Sequence, residues 1–425
     1  MPMCNIINHY FYYKINKEVN INIMNIVIAG VGYVGLVTGL GFAKLGHNIQ
    51  FLDTDSNKIK KLKDGEPPFF EPNLETYLNN DEIIKRCIFS DDYSNIIWET
   101  ADIFMVCVQT PSSDEGELDI QFIESVFTSA IQYLNPKTVI CIKSTIHPIG
   151  IGKVLNNTTI DSEKIVFNPE FLREGGAFYD FFNPDRIVIG ATNKDSSNII
   201  GSIYKDIDSE ILYTDPISSQ LIKYLSNAYL PMRLSFANEA SRIIASLDGD
   251  LNSVMKGIGL DKRIGNDYFR PSPGWGGSCF PKDVKEIINI ADSKSLNLPL
   301  MENILESNDI HMSWFAEKLI NLKENNQLDS IILIGAAFKE DTDDLRDSPT
   351  LSIYKKLNDL NVKTFIYDEE VPLSSVYNTV VNFSENILIV EMYPLNEKKQ
   401  LRLMEKIKSI ENYIYYRHWE KTSDI

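Results

Sequence analysis

The chain has 425 residues, a formal net charge of −18, 44% apolar and 24% charged residues, the balance of an ordinary globular protein of two or three domains. Such an acidic surface argues against nucleic acid or an anionic membrane as the main partner, yet leaves room for a small anionic ligand held by a local group of lysines and arginines. Five cysteines (Cys4, Cys87, Cys107, Cys141 and Cys279) are odd in number and widely spaced, with no C-x-x-C pair, which suggests neither a disulfide framework nor a zinc site and fits a reduced, cytoplasmic setting.

Residues 1–23 have no basic start, long apolar core or small-residue cleavage site, which speaks against a signal peptide. No apolar run anywhere reaches membrane-spanning length. Met24 is expected to be the working start, with 1–23 a disordered or non-native extension; a real interaction arm is the alternative.

An ordered unit follows at once. Residues 25–29 predict a short apolar strand, Gly30-Val31-Gly32-Tyr33-Val34-Gly35 a tight turn, the next residues a helix to about Leu45, and 48–53 a second strand. Strand, G-x-G-x-x-G, helix, and strand ending in an acid form the dinucleotide fingerprint. Gly30 makes the turn, Gly32 lets the backbone approach a pyrophosphate at the helix N-terminus, and Gly35 lets helix and strand pack closely. Asp53 would hold both ribose hydroxyls and repel a 2′-phosphate, favouring NAD over NADP; FAD is the main competitor. Gly30, Gly32, Val34, Gly35 and Asp53 are therefore candidate cofactor contacts.

Further buried strands are expected at 102–108, 138–142 and 165–167, each running into polar residues: Gln109-Thr110-Pro111, Lys143-Ser144-Thr145 and Asn168-Pro169-Glu170. Those carboxyl ends form the edge where open α/β sheets bind ligands. Thr110 and Thr145 are candidate cofactor contacts there, with helix capping equally open.

Residues 215–248 predict one long helix, with Leu221, Leu225, Ala228, Tyr229, Met232 and Phe236 recurring at helical spacing. Such a helix links domains or forms a dimer face. Pro231 inside it predicts a kink, or a cost of roughly 3 kcal/mol.

Gly274-Trp275-Gly276-Gly277-Ser278-Cys279-Phe280-Pro281-Lys282-Asp283 delivers one cysteine from a glycine-rich turn, with a helix expected over about 283–292. A proline in the first turn suits a helix start. The helix dipole, its free N–H groups and a nearby Lys282 would favour a thiolate on Cys279, which is how a nucleophilic sulfur is prepared. A structural thiol in a tight loop is the alternative. From Ser330 a second α/β pattern appears, with strands near 331–335, 365–368 and 387–390. The chain reads as α/β, helical linker, α/β.

Four polar clusters stand out. They are Glu170 with Glu174, Lys223 with Asn227 on one helix face, Cys279 with Asp283, and the stretch Phe338 to Arg346. Each alone is most simply a solvated charge pair. Together, in a chain with a dinucleotide fingerprint, they point to one site.

These motifs, in this order, resemble the UDP-glucose/GDP-mannose dehydrogenase family, with the UDP-glucose branch nearest. The resemblance runs from about residue 24 to about residue 390 through GVGYVG, VQTP, KST, NPEFLREG, PDRIVIG, KYLSNAYL with RLSFANE, RIG, GWGGSCFPKD and FKEDTDDLRDSP. It implies two Rossmann-like α/β domains joined by a long central helix and a small helical dimerisation domain. The boundaries expected are 24–213 for NAD, 214–325 for the central domain with the catalytic cysteine, and 326–425 for the UDP-sugar-binding domain. It implies NAD-dependent, four-electron oxidation of a UDP-linked hexose at C6, giving UDP-glucuronate for polysaccharide or cell-envelope precursors. UDP-N-acetylmannosamine, UDP-N-acetylglucosamine and GDP-mannose are the sibling substrates. A simple two-electron hydroxyacid dehydrogenase or a non-catalytic nucleotide-sugar binder are more distant alternatives.

By the same resemblance Cys279 forms a thiohemiacetal and then a thioester. Lys223 and Asn227 stabilise the oxyanion, Asp283 acts as base or orients water, Thr145 holds a water near the nicotinamide, and Glu170 assists water or proton transfer. Glu174, Lys58, Lys282 and Arg346 are implied to lie near the cofactor, and Lys339 at a UDP phosphate. Glu170, Phe171, Leu172, Arg173 and Glu174, with Lys223 and Asn227, are implied to line the substrate. Tyr268, Phe269, Arg270, Pro271, Ser272 and Gly276 are implied to wrap the sugar nucleotide. Arg263 is implied to reach the substrate of a neighbouring subunit, which requires a homodimer. Pro231, the last residues and the first 23 depart from the family pattern without removing a catalytic residue.

Overall fold

The computed structural model describes residues 23–111, 119–157, 160–369, 386–408 and 412–420, with positions 371, 373, 377, 379 and 410. The expectation for 1–23 lies, apart from residue 23, outside the described residues.

The first sheet has eight strands: β1 (Asn25–Ala29), β2 (Asn48–Leu52), β3 (Cys87–Ser90), β4 (Ile103–Val106), β5 (Val139–Ile142), β6 (Ile165–Phe167), β7 (Ile187–Ala191) and β8 (Ile211–Thr214). Their order is β3-β2-β1-β4-β5-β6-β7-β8, parallel except for the β6–β7 pair. The order reverses beside β1, so a crevice opens between β1 and β4 at the carboxyl edge. β1, β4 and β5 are almost wholly buried apolar runs because apolar clusters cover both faces. Helix α1 (Tyr33–Lys44) lies close on the sheet. Its Gly39 and Gly41 make that possible, since a Cβ there would sit 2.3 Å from the Phe51 ring and 2.4 Å from the Phe181 ring.

The second sheet holds β9 (Ser330–Ile334), β10 (Thr364–Tyr367), β11 (Ile387–Glu391) and β12 (Tyr413–Arg417), all parallel, in the order β10-β9-β11-β12. It repeats the turn of the first. Gly30 and Gly335 both have positive φ (98° and 94°), and Asp53 and Asp368 each accept a 2.8 Å hydrogen bond from the N–H after that glycine.

Between the sheets stand α2 (Pro216–Ser246), α3 (Phe280–Ser293) and α4 (Pro299–Asn325). Asp215 caps α2 through the Ser218 N–H, with Pro216 in the first turn. The helix continues through the buried Pro231, at the loss of the bond a backbone N–H there would make to the Asn227 carbonyl. α3 begins at Phe280 and so includes Pro281 in its first turn, three residues before the start expected at Asp283. Trp275 seals the three helices together: its indole N–H donates to Ser235 Oγ, and Asn308 bonds both its backbone N–H and its carbonyl.

Candidate active site

The carboxyl edge of the first sheet, the middle of α2, the start of α3 and the loop after β9 meet around Cys279. The loop before Cys279 can only be built from glycines. A Cβ on Gly276 would lie 1.7 Å from the Asp347 carbonyl, and Gly277 has φ of 90° with the Phe338 ring against it. Cys279 is the N-cap of α3, and its carbonyl accepts the Asp283 N–H at 2.9 Å. Cys279 is exposed at the surface, while neighbouring protein crowds its sulfur. That burial pushes the thiol up from its usual range, Lys223 opposes the rise, and the Asp283 and Glu170 carboxylates add to it. In the free protein these groups therefore work against the thiolate that the helix end and Lys282 would favour. Two nearby carboxylates and burial outweigh one ammonium and a helix end.

Lys223 is buried on α2, and its ammonium meets Glu170 Oε1 at 2.9 Å. Burial works against its charge, but Glu170, Cys279 and Asp283 overcome this and hold it above its usual range. Glu170 uses its other oxygen to accept the Leu172 N–H at 2.6 Å. One turn along α2, Asn227 Nδ2 donates to Asp283 Oδ2 at 2.6 Å. Lys282, which the resemblance places near the cofactor, lies against Asp283 Oδ1 (2.8 Å) and Glu286 Oε1 (3.2 Å). An exposed cysteine, a buried ammonium and a buried, tethered carboxylate thus lie together in an otherwise acidic protein.

The cofactor crevice has the features its fingerprint requires. A Cβ on Gly35 would sit 1.9 Å from the Gly30 carbonyl, so only glycine lets α1 pack there, whereas the space over Gly32 is open. Asp53 accepts the Val31 and Asp55 N–H groups at 2.8 and 3.0 Å. Each of its oxygens keeps a lone pair for a ribose hydroxyl. An open cradle at Gly32 and a carboxylate at the end of β2 fit a dinucleotide without a 2′-phosphate. Val34 packs partly into the core. Thr110 is buried and Thr145 half-buried at this edge, and Lys58 is half-buried on the helix after β2.

The segment after β6 and the loop after β9 close on each other. Lys339 donates to the Glu174 carbonyl at 2.6 Å, and Thr342 and Ser278 reach the Glu174 carboxylate at 3.1 and 3.4 Å. Arg346 pairs with Asp344 and lies 3.8 Å from Glu174. Burial and Asp344 push the Glu174 carboxyl up, and burial pulls the Lys339 ammonium down. Arg173 is clasped by Asp180, and Phe171 carries Lys223 and Arg186 over its ring at 5.4 and 3.8 Å.

The wrapping segment divides. Tyr268 sits near Phe280 with a strained φ of 52°. Phe269 is buried against Phe236, and Arg270 lies over Trp419. Pro271 is buried, and Ser272 is held at its N–H by Asn238 and at its carbonyl by His311. Arg263, 88% exposed, is held by Asp261 and turned to solvent.

Sequence reasoning passed over Tyr33, Glu71, Glu286 and Tyr224. The Tyr33 hydroxyl donates to the Arg173 carbonyl at 2.7 Å, and buried Glu71 accepts the Gly175 and Ala177 N–H groups. These tie the glycine turn to the segment after β6. Among the described residues no cluster of metal ligands occurs, and no helix is long and apolar enough to cross a membrane.

Three models of one family match in sequence: the NAD binding domain over residues 24–208, the central domain over 217–310 and the UDP binding domain over 332–413 of the UDP-glucose/GDP-mannose dehydrogenase family. A UDP-glucose 6-dehydrogenase of Bacillus subtilis is 34% identical over 81% of this chain and 79% of its own. One of Rickettsia bellii is 36% identical over 87% and 85%. The solved UDP-glucose dehydrogenase of the archaeon Pyrobaculum islandicum superposes with a TM-score of 0.83 at 27% identity, over 95% of this chain and 96% of that one.

Proposed function

The chain belongs to the UDP-glucose/GDP-mannose dehydrogenase family and is an NAD-dependent oxidoreductase, and on that footing we propose that it oxidises C6 of UDP-glucose to the carboxylate of UDP-glucuronate. The observation that carries this reading is Cys279, open to the cleft and flanked by the Lys223 ammonium and the Asn227–Asp283 pair.

NAD, when bound, accepts a hydride at each of two successive oxidations. Lys223 offers a fixed positive charge where the C6 oxygen becomes an oxyanion, and Asn227 has a second N–H to add. Glu170 keeps that ammonium in place. Once C6 is an aldehyde, the Cys279 thiol gives its proton to solvent and the sulfur bonds to C6, giving a thiohemiacetal oxyanion beside Lys223. Loss of the remaining C6 hydride leaves a thioester, and covalent capture keeps the aldehyde from escaping between steps. Water then adds to the thioester carbon, Asp283 takes the water's proton, and the C–S bond breaks with its electron pair returning to sulfur. Thr145, at the sheet edge, holds a water beside the nicotinamide. Lys339 and Arg346 exchange their present partners for phosphates when ligands enter. Residues 24–213, 214–325 and 326–425 serve as the NAD, central and UDP-sugar domains. The product supplies polysaccharide or cell-envelope synthesis in the cytoplasm.

The protein works as a homodimer in this reading. Leu225, Tyr229, Phe236 and Ile243 are exposed along one face of α2, an apolar stripe that a second copy would cover and that would bring Arg263 to the neighbouring site. The test of substrate identity is initial rates on UDP-glucose, UDP-N-acetylmannosamine, UDP-N-acetylglucosamine and GDP-mannose under identical conditions. UDP-glucose should give the highest kcat/KM; a clear preference for another sugar would replace it.

A further inference from the structure

A buried acid outside the sequence-derived clusters lies beneath Cys279. Glu286 follows Asp283 by one turn of α3 and has 0% exposure. Its Oε2 accepts the hydroxyl of Tyr224, itself fully buried on α2, and its Oε1 lies 3.2 Å from the Lys282 ammonium. The same ammonium is 2.8 Å from Asp283 Oδ1 but poorly aligned with it, and Oδ1 has no hydrogen-bond partner. Lys282 thus lies nearer Asp283 but is shared with Glu286.

Resting on the Cys279 reading, we propose that Glu286 is a positioning residue: anchored by Tyr224, it shares the Lys282 ammonium with Asp283 and so weakens that ion pair, leaving Oδ1 able to take the proton of the water that cleaves the Cys279 thioester. In that step the water O–H bond breaks toward Oδ1, the oxygen bonds to the thioester carbon, and the C–S electron pair returns to sulfur. Asn227 holds the opposite oxygen, so Oδ1 is the one left for water. The other groups around the network are Lys223 and Tyr224 from α2, His147 and Lys153 from the β5 side, Glu170 from the edge of β6, and Arg346 from the loop after β9. His147 stays neutral, held down to about 4 by burial, and its Nδ1 accepts the Gly150 N–H.

Glu286→Gln keeps the size and the Tyr224 hydrogen bond but removes the charge, so Lys282 turns to Asp283. The expected result is a kcat roughly tenfold lower with little change in KM for UDP-glucose. The acid limb of the kcat–pH profile should move down by roughly half a unit or more. In substrate-free enzyme, the pH midpoint for alkylation of Cys279 by iodoacetamide, with Cys279→Ser as blank, should move down as well, because a negative charge has gone. Glu286→Asp retains the charge and should return the midpoint toward the wild-type value. Unmoved midpoints, or a loss of kcat that only follows a fall in Tm, would overturn the role of Glu286. Full turnover by Cys279→Ala would overturn the underlying reading with it, whereas an inactive Cys279→Ala beside an unmoved Glu286→Gln midpoint would overturn the Glu286 role alone.

Discussion

Replacing Lys223 by Met separates what its charge does for folding from what it does for chemistry. The ammonium and Glu170 are 2.9 Å apart with side-chain exposures of 5% and 10%. Removing one partner of so buried a pair strands the other, at about 3–5 kcal/mol. Lys223→Met should therefore lower the urea or thermal midpoint clearly. The pair Lys223→Met with Glu170→Gln removes the stranded charge and should recover most of that loss, because neutral groups of similar size replace a buried ion pair at little net cost. Activity should not follow stability. An oxyanion stabiliser is worth roughly 10²–10³ in kcat, and neither Met nor Gln supplies the charge. Unfolding followed by far-UV circular dichroism and initial rates of NADH formation on the same preparations give both axes. Recovery of kcat to within a few-fold of wild type in the double variant would refute the assignment of Lys223 to the reacting oxygen. An unchanged midpoint in Lys223→Met would refute the buried pair.

Gly32→Ala and Gly35→Ala should differ. The first meets nothing within 4 Å and should fold normally while the KM for NAD rises at least roughly tenfold, because the new methyl occupies the pyrophosphate approach; the second collides with the Gly30 carbonyl and should lower Tm as well. If the proposed dimer forms through the exposed stripe of α2, Phe236→Glu or Tyr229→Glu should give a monomer by light scattering where the wild type gives a dimer. Stability should fall with pH in a defined window: burial holds His311 down to about 4, so the unfolded chain takes up a proton below about 6.5 that the folded imidazole refuses until about 4. The stabilisation is complete above pH 6.5, and up to about 3 kcal/mol is lost on acidification toward 4. Thermal melts of His311→Gln should show a flatter profile there.

The dinucleotide half was legible because its signals are local. A strand, a glycine turn and a terminal acid lie within one βαβ unit, and 25–29 and 165–167 coincide with β1 and β6. The long helix was readable from its spacing, and Pro231 proved tolerable inside it. What the sequence concealed depends on distance along the chain. Glu71 meets Gly175 and Ala177, and Tyr33 meets the Arg173 carbonyl, through contacts with no local pattern. The upward push on the Cys279 thiol was not legible in the motif, because the burial that dominates it and the Glu170 carboxylate come from distant parts of the chain. The carboxylate contacts of Lys282 were hidden for another reason. Its i, i+4 partner Glu286 was in plain view, but nothing local says that both are buried.

The most direct test of the Cys279 mechanism is the yield of NADH per UDP-glucose at completion, for the protein and for Cys279→Ala. Two NADH per sugar, with turnover abolished in the variant, is the result expected of a four-electron oxidation through a thioester. One NADH per sugar, unchanged by the substitution, would contradict it and leave a simple alcohol dehydrogenase.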